Sequence, residues 1–469
     1  MIGKPLSPAW LTPPADANDL APGLWSESVE RNADGVLCVG GIAVTDLVRD
    51  FGTPLYVIDE AEARDRAARI RTVFSEAFAA IGTGVTVYYA GKAFLSTEVA
   101  RWMHAAGLRI DVASGGELAV ALAAGVPGEL IGLHGNNKSG AEIERAVAAR
   151  VGTIVIDSTI EVERVATAAA AAGIVQRVRL RVNSGVHAHT HEFLATAHDD
   201  QKFGTSLSGA PSLVAAIRAH GSLEFVGLHC HIGSQIFESG GFVESARRLL
   251  TLHAELLADG PVPELNLGGG FGIAYTSADR PTDIHIIATE MARVVDETCR
   301  SLSIEVPHIC IEPGRWIVGT AGLTLYTVGT TKSVSVETSD GSVAQRLYVS
   351  VDGGMSDNAR PSLYGANYAV RIASRTSSAE PALVRVAGKH CESGDILVNA
   401  DYLPGDVTVD DVVAIPATGA YCFSLASNYN YLARPAVVAV LAGRARVIVR
   451  GETEHDLLAR DAGIERTTA

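Results

Sequence analysis

The chain has 469 residues, of which 47% are hydrophobic and 19% charged, and its formal net charge is −15. This acidic balance, without a run of Lys and Arg, argues against nucleic acid or an anionic membrane surface as a partner, because both attract concentrated positive charge. The length predicts two or three domains, and the longest Ala-rich stretch is well short of the roughly 20 apolar residues that span a bilayer, so we expect a soluble protein.

The N-terminal segment and the cysteines indicate the compartment. Pro5, Pro8 and Pro13 interrupt the first residues, which therefore lack the unbroken apolar core of a signal peptide. The six cysteines are scattered without a Cys-x-x-Cys pair, so neither a disulfide framework nor a structural zinc site is predicted. We expect a cytoplasmic protein with reduced cysteines.

Short apolar runs rich in Val, Ile and Tyr alternate with stretches that carry Ala, Leu, Glu and Arg at helical spacing. The runs that we predict as buried strands are 84–90, 108–114, 130–135, 152–158, 177–184, 223–231, 263–268 and 308–312. Continuous apolarity indicates burial on both faces, and strand–helix alternation indicates a parallel sheet. Eight such units predict a (β/α)8 TIM barrel, placed with its leading segment at residues 50–318.

The remaining sequence has a different texture. After Arg315 it contains Thr-, Val- and Tyr-rich strand patterns such as LTLYTVGTT at 323–331 and RLYVSVDGG at 346–354. The early segment 35–44 is also strand-like and can pair with these later strands. The predicted fold is therefore α/β, a TIM barrel plus a β-rich second domain formed by residues 1–49 and 319–469.

Polar residues follow most of the predicted barrel strands. In an eightfold barrel, reactive groups come from the C-terminal strand ends and the loops beyond them, so these residues are expected to converge on one mouth. In chain order they are Lys92, Asp111, His134, Asn183, His229, His231, Ser234, the glycine run at 268–272, Glu312 and Arg315. A ligand site is predicted there.

The glycine run and Arg315 indicate the kind of ligand. Barrel enzymes commonly bind phosphate after the seventh and eighth strands, where glycines let backbone N–H groups approach and an arginine supplies a forked cation. The run lacks the G-x-G-x-x-G spacing of a dinucleotide site. Beside a phosphate, a desolvated Lys92 could form a Schiff base with a carbonyl ligand. Pyridoxal 5′-phosphate has both groups and needs an acid near its ring nitrogen, for which Glu312 is suitably placed.

Motifs in both predicted domains occur in a specific order. In the barrel, YAGKA at 89–93, DVASGGEL at 111–118, HGNNK at 134–138, HIGSQ at 231–235, the glycine run and EPGR at 312–315 together resemble the alanine-racemase-fold (fold type III) pyridoxal-phosphate decarboxylases. In the β domain, DGGM at 352–355, RPSLY at 360–364, CESGD at 391–395 and GAY at 419–421 resemble the diaminopimelate decarboxylase family. The resemblance runs from about residue 35 to residue 450.

This resemblance implies a reaction and a cofactor. The reaction is the pyridoxal-phosphate-dependent decarboxylation of meso-2,6-diaminopimelate to L-lysine and CO2, the last step of lysine biosynthesis. Lys92 would hold the cofactor as a Schiff base and then transfer protons, Glu312 would pair with the ring nitrogen, and His231 would stack on the ring. The other cofactor-binding residues that it implies are Asp111, Ser234, Gly269, Gly270, Gly314, Arg315 and Tyr421.

The resemblance also implies how the substrate is held. The residues that would bind the distal amino-acid end of diaminopimelate are Arg315, Arg360, Tyr364, Glu392 and Tyr421. Arginine forks suit its carboxylate, and Glu392 suits its ammonium group. Cys391 would be the second catalytic residue and protonate the carbanion. In the family the Cys-Glu segment reaches the site from the partner subunit, which implies a homodimer with shared active sites.

Other interpretations stay open at this point. His229 has the strand parity of His231 and is interpreted as a packed barrel residue, and Ser114 with Glu117 has the spacing of a helix capping box. Alternative functions are a same-fold decarboxylase of ornithine, arginine or carboxynorspermidine, and a non-catalytic pyridoxal-phosphate carrier, a class that typically lacks the β domain. A Schiff-base aldolase on a similar barrel would need no cofactor.

The segment between the fifth and sixth predicted strands departs from the family pattern. Ser184 stands where many members have proline, and residues 190–197 replace a proline and a glycine often found there. His187, His189 and His191 alternate in a way that could place three imidazoles on one strand face. No carboxylate or cysteine pattern accompanies them, so no metal site is predicted.

Overall fold

The structure is a computed structural model that describes residues 6–186, 202–338 and 341–463. Its contacts divide the chain into two compact units. The first comprises Arg64–Gly272 and Pro281–Ile317, and the second Met1–Ala63, Ile273–Arg280 and Val318–Ala469. The segments 50–63 and 273–280, which lie inside the barrel span drawn from the sequence, thus group with the second unit.

The first unit contains a closed barrel of eight parallel strands. They are β1 (Val85–Ala90), β2 (Arg109–Val112), β3 (Ile131–Leu133), β4 (Thr153–Ile156), β5 (Gln176–Asn183), β6 (Leu223–His229), β7 (Glu264–Asn266) and β8 (His308–Ile311). Each strand pairs with the next, and β8 pairs with β1, which closes the sheet. A short strand, Thr205–Ser206, lies beside β5. The predicted TIM barrel is confirmed.

Helices fill the connections between these strands. Helix Glu60–Ala79 precedes β1, and the helices that follow β1 to β8 in turn are Thr97–Ala105, Gly115–Ala123, Gly140–Ala148, Thr159–Ala171, Ala210–Ala219, Gly240–Leu256, Ile284–Leu302 and Arg315–Val318. Short 3-10 turns occupy Gly91–Ala93, Gly128–Leu130 and Leu257–Asp259. Ser114 caps its helix by accepting from the Glu117 N–H at 3.2 Å, but the Glu117 carboxylate accepts from Ala113 rather than from Ser114. The cap is therefore present without the reciprocal bond of a capping box.

The second unit is β-rich, as predicted. Its main sheet runs in the order Ile396–Pro404, Pro381–Ala387, Val343–Val351, Gly322–Glu337, Leu55–Asp59, Ala436–Leu441 and Arg444–Val449. Val412–Pro416 also pairs with Gly322–Glu337, and Arg371–Ile372 pairs with Val412–Pro416. Strand Leu55–Asp59 is buried along its whole length between two partners, so this segment belongs to the β-rich sheet. The short helices of the unit are Val44–Phe51, Arg360–Tyr364, Phe423–Leu425, Tyr429–Tyr431 and Glu454–Leu458.

The early strand-like segment also packs in the second unit. It forms a small sheet of Glu30–Arg31, Leu37–Val39 and Ile42–Ala43. Leu37 and Val39 are buried in one core cluster with Leu325, Val412 and Val438. Across the described part of the chain, no helix combines the length and the apolarity needed to cross a bilayer.

Candidate active site

A cavity of about 360 Å³ lies at the C-terminal strand ends of the barrel. Five of the predicted site residues line it, namely Lys92, Asp111, His231, Ser234 and Glu312. Further side chains on its wall come from Glu117, His134, Arg181, Phe203 and His229. The barrel therefore brings together the polar strand ends that the sequence places at one mouth, and Lys92 is the single lysine among the described lining residues.

Glu312 lies directly after β8 and is only 9% exposed. Its Oε2 is 3.1 Å from Nε2 of His229, at the end of β6, and its Oε1 accepts a hydrogen bond of 2.6 Å from the Asn266 amide, at the end of β7. His134, after β3, places its Nε2 3.4 Å from Oε1. Two strand ends thus bond this carboxylate, and a third places an imidazole nitrogen close to it.

The surroundings of Glu312 determine its charge. Burial alone would raise the pKa of Glu312, but its interactions with His229 and His134 outweigh this and hold that pKa well below its usual range. Burial lowers the pKa of both imidazoles to about 4, so they are neutral near pH 7. His229 then donates its Nε2–H to the carboxylate. Burial and the charge of Glu312 raise the pKa of Asp111 well above its usual range. The pKa values of these two carboxyl groups are therefore shifted in opposite directions.

We expect acid to destabilise the fold through these buried imidazoles. The unfolded chain binds protons at His134 and His229 below about pH 6.5, whereas the folded chain binds them only near pH 4. The free energy of unfolding should therefore fall as pH falls through this window, by about 1.4 kcal/mol per pH unit for each histidine. Asp111, which keeps its proton longer when folded, offsets part of this slope.

Urea unfolding at several pH values between 7 and 5 measures this slope. His229→Gln retains an Nε2 donor but cannot titrate, so its slope should be shallower by about one proton. His285→Gln, at an exposed helix position, is the matched control and should keep the parent slope. A slope that His229→Gln leaves unchanged would contradict the neutral, buried state of this imidazole.

The loops after β6, β7 and β8 form a cradle beside the cavity. Gly270 has a φ of +112°, and a Cβ at this position would lie 2.3 Å from the Gly233 carbonyl oxygen. A Cβ on Gly269 would lie 2.0 Å from the carbonyl oxygen of Glu312, so only glycine fits either position. Arg315 donates to the Ser234 hydroxyl at 2.8 Å. Backbone N–H groups and a guanidinium together suit a phosphate.

His231 is held between this cradle and Lys92. The Gly269 N–H donates to its Nδ1 at 3.3 Å, so Nε2 carries the ring proton. Burial, and then the charge of Lys92, lower the pKa of His231 well below its usual value. The imidazole is therefore neutral near pH 7.

Gly314 lies in the first unit, in the loop after β8. The remaining predicted site residues, all in the second unit, are Arg360, Tyr364, Cys391, Glu392 and Tyr421. Arg360 is buried, with its guanidinium 4.4 Å from the Tyr275 ring centroid and donating to the Tyr368 hydroxyl. Tyr364 is 69% exposed, and Cys391 is the single exposed cysteine of the six, all of which lie in the described part of the chain. The roles assigned to these five residues remain predictions.

The structure adds residues that the sequence interpretation missed. His229 is not merely a packed barrel residue, because it lines the cavity and contacts Glu312. Its parity with His231 was the available signal, since residues i and i+2 of a strand share a face. Arg181 was not assigned a role from the sequence, and its guanidinium carbon lies 4.3 Å from the centroid of the Phe203 ring.

The ligand atoms of His134, His229 and Glu312 lie within 4.8 Å of one another, a spacing that could also hold a metal ion.

The candidate metal set at 187, 189 and 191 lies outside the described residues.

Comparison with known proteins decides the family. Residues 67–319 match the model of the pyridoxal-dependent decarboxylase, pyridoxal binding domain. The diaminopimelate decarboxylase of Mycobacterium tuberculosis is 49% identical over 447 residues, which cover 94% of this chain and 98% of that protein. This chain belongs to the diaminopimelate decarboxylase family. The Bacillus subtilis member is 41% identical over 435 residues, covering 92% of this chain and 96% of its own length.

Solved structures agree with this assignment. The diaminopimelate decarboxylase of M. jannaschii, in complex with L-lysine, has a TM-score of 0.85 at 30% identity and covers 93% of this chain and 98% of its own. The Helicobacter pylori enzyme, also with L-lysine, has a TM-score of 0.77 at 28% identity and covers 89% and 98%. The family and fold expected from the motifs are confirmed.

The cavity fits the cofactor of the diaminopimelate decarboxylases. A lysine for the aldehyde and an ionised carboxylate for the ring nitrogen, Lys92 and Glu312, line the same space. The cradle of Gly269, Gly270 and Arg315 is adjacent, at the end that a phosphate would occupy. Each chemical group of pyridoxal 5′-phosphate thus has a matching group in the barrel.

Proposed function

We propose that this chain binds pyridoxal 5′-phosphate and decarboxylates meso-2,6-diaminopimelate to L-lysine and CO2, the last step of lysine biosynthesis. The observation that carries the proposal is the ionised Glu312, fixed by His229 and Asn266 in the cavity that Lys92 lines. When bound, the cofactor supplies an electron sink for the pair left behind by CO2. Identity of 41–49% to diaminopimelate decarboxylases over almost the whole chain supports the substrate.

The barrel residues would hold and activate the cofactor. Lys92 would bind its aldehyde carbon covalently and, once displaced by the substrate amine, accept or donate a proton at Nζ. Glu312 would accept the ring N–H and remain anionic, because its neighbours hold its pKa low. His231 would cover one face of the ring. The groups that would bind the phosphate or organise the pocket around it are Asp111, Ser234, Gly269, Gly270, Gly314, Arg315 and Tyr421.

Residues of the second unit would recognise the distal amino-acid end. Arg360 is pre-oriented by the Tyr275 ring and the Tyr368 hydroxyl, so its free N–H groups can bind a carboxylate with little loss of side-chain entropy. Glu392 would bind the ammonium group, with Arg315, Tyr364 and Tyr421 completing the contacts. Cys391 would donate the proton that replaces CO2.

We propose a homodimer with shared active sites. Large exposed side chains lie on the surface that carries Cys391 and Glu392. The Ser362 hydroxyl donates to the Gly394 carbonyl and the Tyr429 hydroxyl donates to Glu392, so the segments around Ser362 and Tyr429 lie beside Cys391 and Glu392. The exposed fractions on this surface are 59% for Leu363, 69% for Tyr364, 42% for Tyr429 and 68% for Tyr431. An exposed apolar patch around functional residues supports an interface there.

We place the reaction in the cytoplasm. All six cysteines lie in the described part of the chain, and none of them forms a disulfide. Unpaired thiols, including the exposed Cys391, are compatible with a reducing compartment. Activity in a cytosolic fraction, and its absence from an exported fraction, tests this placement.

A substrate panel tests the proposed specificity. We expect kcat/KM for meso-diaminopimelate to exceed that for ornithine, arginine or carboxynorspermidine by about 10⁴-fold, because a substrate without the distal amino-acid group leaves buried polar groups unpaired. The purified protein is incubated with pyridoxal phosphate and each substrate, and the amine product is identified. Turnover of ornithine or arginine at a comparable kcat/KM would contradict the assignment.

A further inference from the structure

His390 is a buried imidazole immediately before the two exposed residues Cys391 and Glu392. It is 8% exposed, and both of its ring nitrogens are bonded. Nδ1 lies 2.9 Å from Oδ1 of Asn430, and Nε2 lies 2.8 Å from the Ser356 hydroxyl. With Asn430 Oδ1 as the acceptor, Nδ1–H is the donor, and Nε2 shares a hydrogen bond with the Ser356 hydroxyl. Both ring nitrogens are therefore satisfied.

Asp395 closes the segment 388–395 around His390. The Oδ2 of Asp395 accepts from the backbone N–H of His390 at 2.8 Å, and its Oδ1 accepts from the backbone N–H of Met355 at 2.6 Å. The Asp395 carbonyl also accepts from the Gly388 N–H at 3.0 Å. A Cβ on Gly388 would lie 2.2 Å from Oδ2, so the turn is packed tightly against this carboxylate.

Tyr429 extends this anchoring to Glu392. Its ring stacks on the His390 imidazole, with centroids 5.2 Å apart and planes at 21°. Its hydroxyl donates to Oε2 of Glu392 at 3.4 Å. Asn430 and Tyr431, which follow it, have φ values of +52° and +56°, a left-handed conformation that non-glycine residues adopt at a cost of about 1 kcal/mol each. This strained turn presents Tyr429 and Asn430 to the imidazole.

We propose that His390 is a positioning residue that holds the Cys391 thiol and the Glu392 carboxylate in their reactive geometry. It acts through its bonds to Ser356 and Asn430 and through the stacked Tyr429. This inference rests on the proposed function, which assigns proton donation to Cys391 and substrate binding to Glu392. Because misplacing a reacting group by about 1 Å can cost about 10²-fold in rate, such an anchor affects turnover without touching the substrate.

The test compares three variants of the holoenzyme. His390→Ala removes both the hydrogen bonds and the stack, and we expect kcat with meso-diaminopimelate to fall about 10²-fold and KM to rise, while bound cofactor is retained. His390→Phe keeps the stack but not the bonds and is expected to lose less. His455→Ala, at an exposed position in the same unit, is the control and should match the parent.

The alkylation rate of Cys391 separates positioning from a loss of folding. Cys391 is the one exposed cysteine, so iodoacetamide should modify it first, and Cys391→Ala should abolish this fast phase. We expect His390→Ala to increase the alkylation rate several-fold with an unchanged unfolding midpoint. If His390→Ala does not fold, the same comparison is made with His390→Phe.

Two outcomes would overturn the inference. One is a kcat within twofold of the parent, and the other is an unchanged alkylation rate in a folded variant. The proposed role of Cys391 fails separately if Cys391→Ala keeps its turnover. Loss of turnover in Cys391→Ala combined with normal turnover in His390→Ala would refute the positioning role alone.

Discussion

Lys92→Ala is expected to lower kcat with meso-diaminopimelate by about 10⁴-fold and to abolish covalent attachment of pyridoxal phosphate. Lys92 is the single lysine among the described residues that line the cavity. Its replacement by alanine therefore removes both the attachment point and the proton-transfer group. CO2 release measures the first effect. Borohydride reduction followed by peptide mapping measures the second.

The control for this experiment is Lys332→Ala, at an exposed position in the second unit. It should trap the cofactor and turn over substrate as the parent does. Trapped cofactor on another lysine of Lys92→Ala, or turnover near the parent rate, would contradict the role of Lys92.

Cys391→Ala is expected to lower kcat by about 10³-fold while leaving the cofactor bound, because general-acid groups contribute in this range. The residues that line the barrel cavity belong to the barrel unit and do not include this thiol. Initial rates of CO2 and lysine formation, together with the absorbance of bound cofactor, provide the measurement. Cys38→Ala, at a buried cysteine of the same unit, is the matched control. A variant with parent turnover would favour a carrier or a different proton donor.

Mixing the two variants tests whether active sites are shared. In a homodimer whose sites combine Lys92 of one subunit with Cys391 of the other, a mixed dimer contains one intact site. Random pairing after co-expression should then restore about a quarter of parent activity, because half of the dimers are mixed and each has one of two sites. Activity that stays at the level of the single variants would contradict shared sites.

The barrel and most of its mouth could be predicted from local sequence. Continuous apolar runs identify strands buried on both faces, and the residue that follows each run falls at the C-terminal strand end, which is why Lys92, Asp111, His231 and Glu312 were placed together. Strand Leu55–Asp59 could not be assigned in this way. A fully buried strand has the same apolar pattern in a barrel and in a mixed sheet, and its partners at 322–325 and 436–440 are distant in sequence.

The charge state of the site also lay beyond the sequence. The parity of His229 is equally consistent with packing and with a place at the mouth, and only its 3.1 Å contact with Glu312 distinguishes them. The pKa of Glu312 is set by burial opposed by His229 and His134, and the pKa of Asp111 is raised by burial and by the charge of Glu312. His390 was not singled out because its partners, Ser356 and Asn430, are 34 and 40 residues away along the chain.

The most direct test of the central claim is the stoichiometry of products from meso-diaminopimelate with the pyridoxal-phosphate-loaded protein. CO2 and lysine are quantified in the same reaction, and the configuration of the lysine is determined by chiral chromatography. The account predicts equal molar amounts of CO2 and L-lysine. Release of CO2 with an amine other than L-lysine, or no release of CO2 from this substrate, would contradict it.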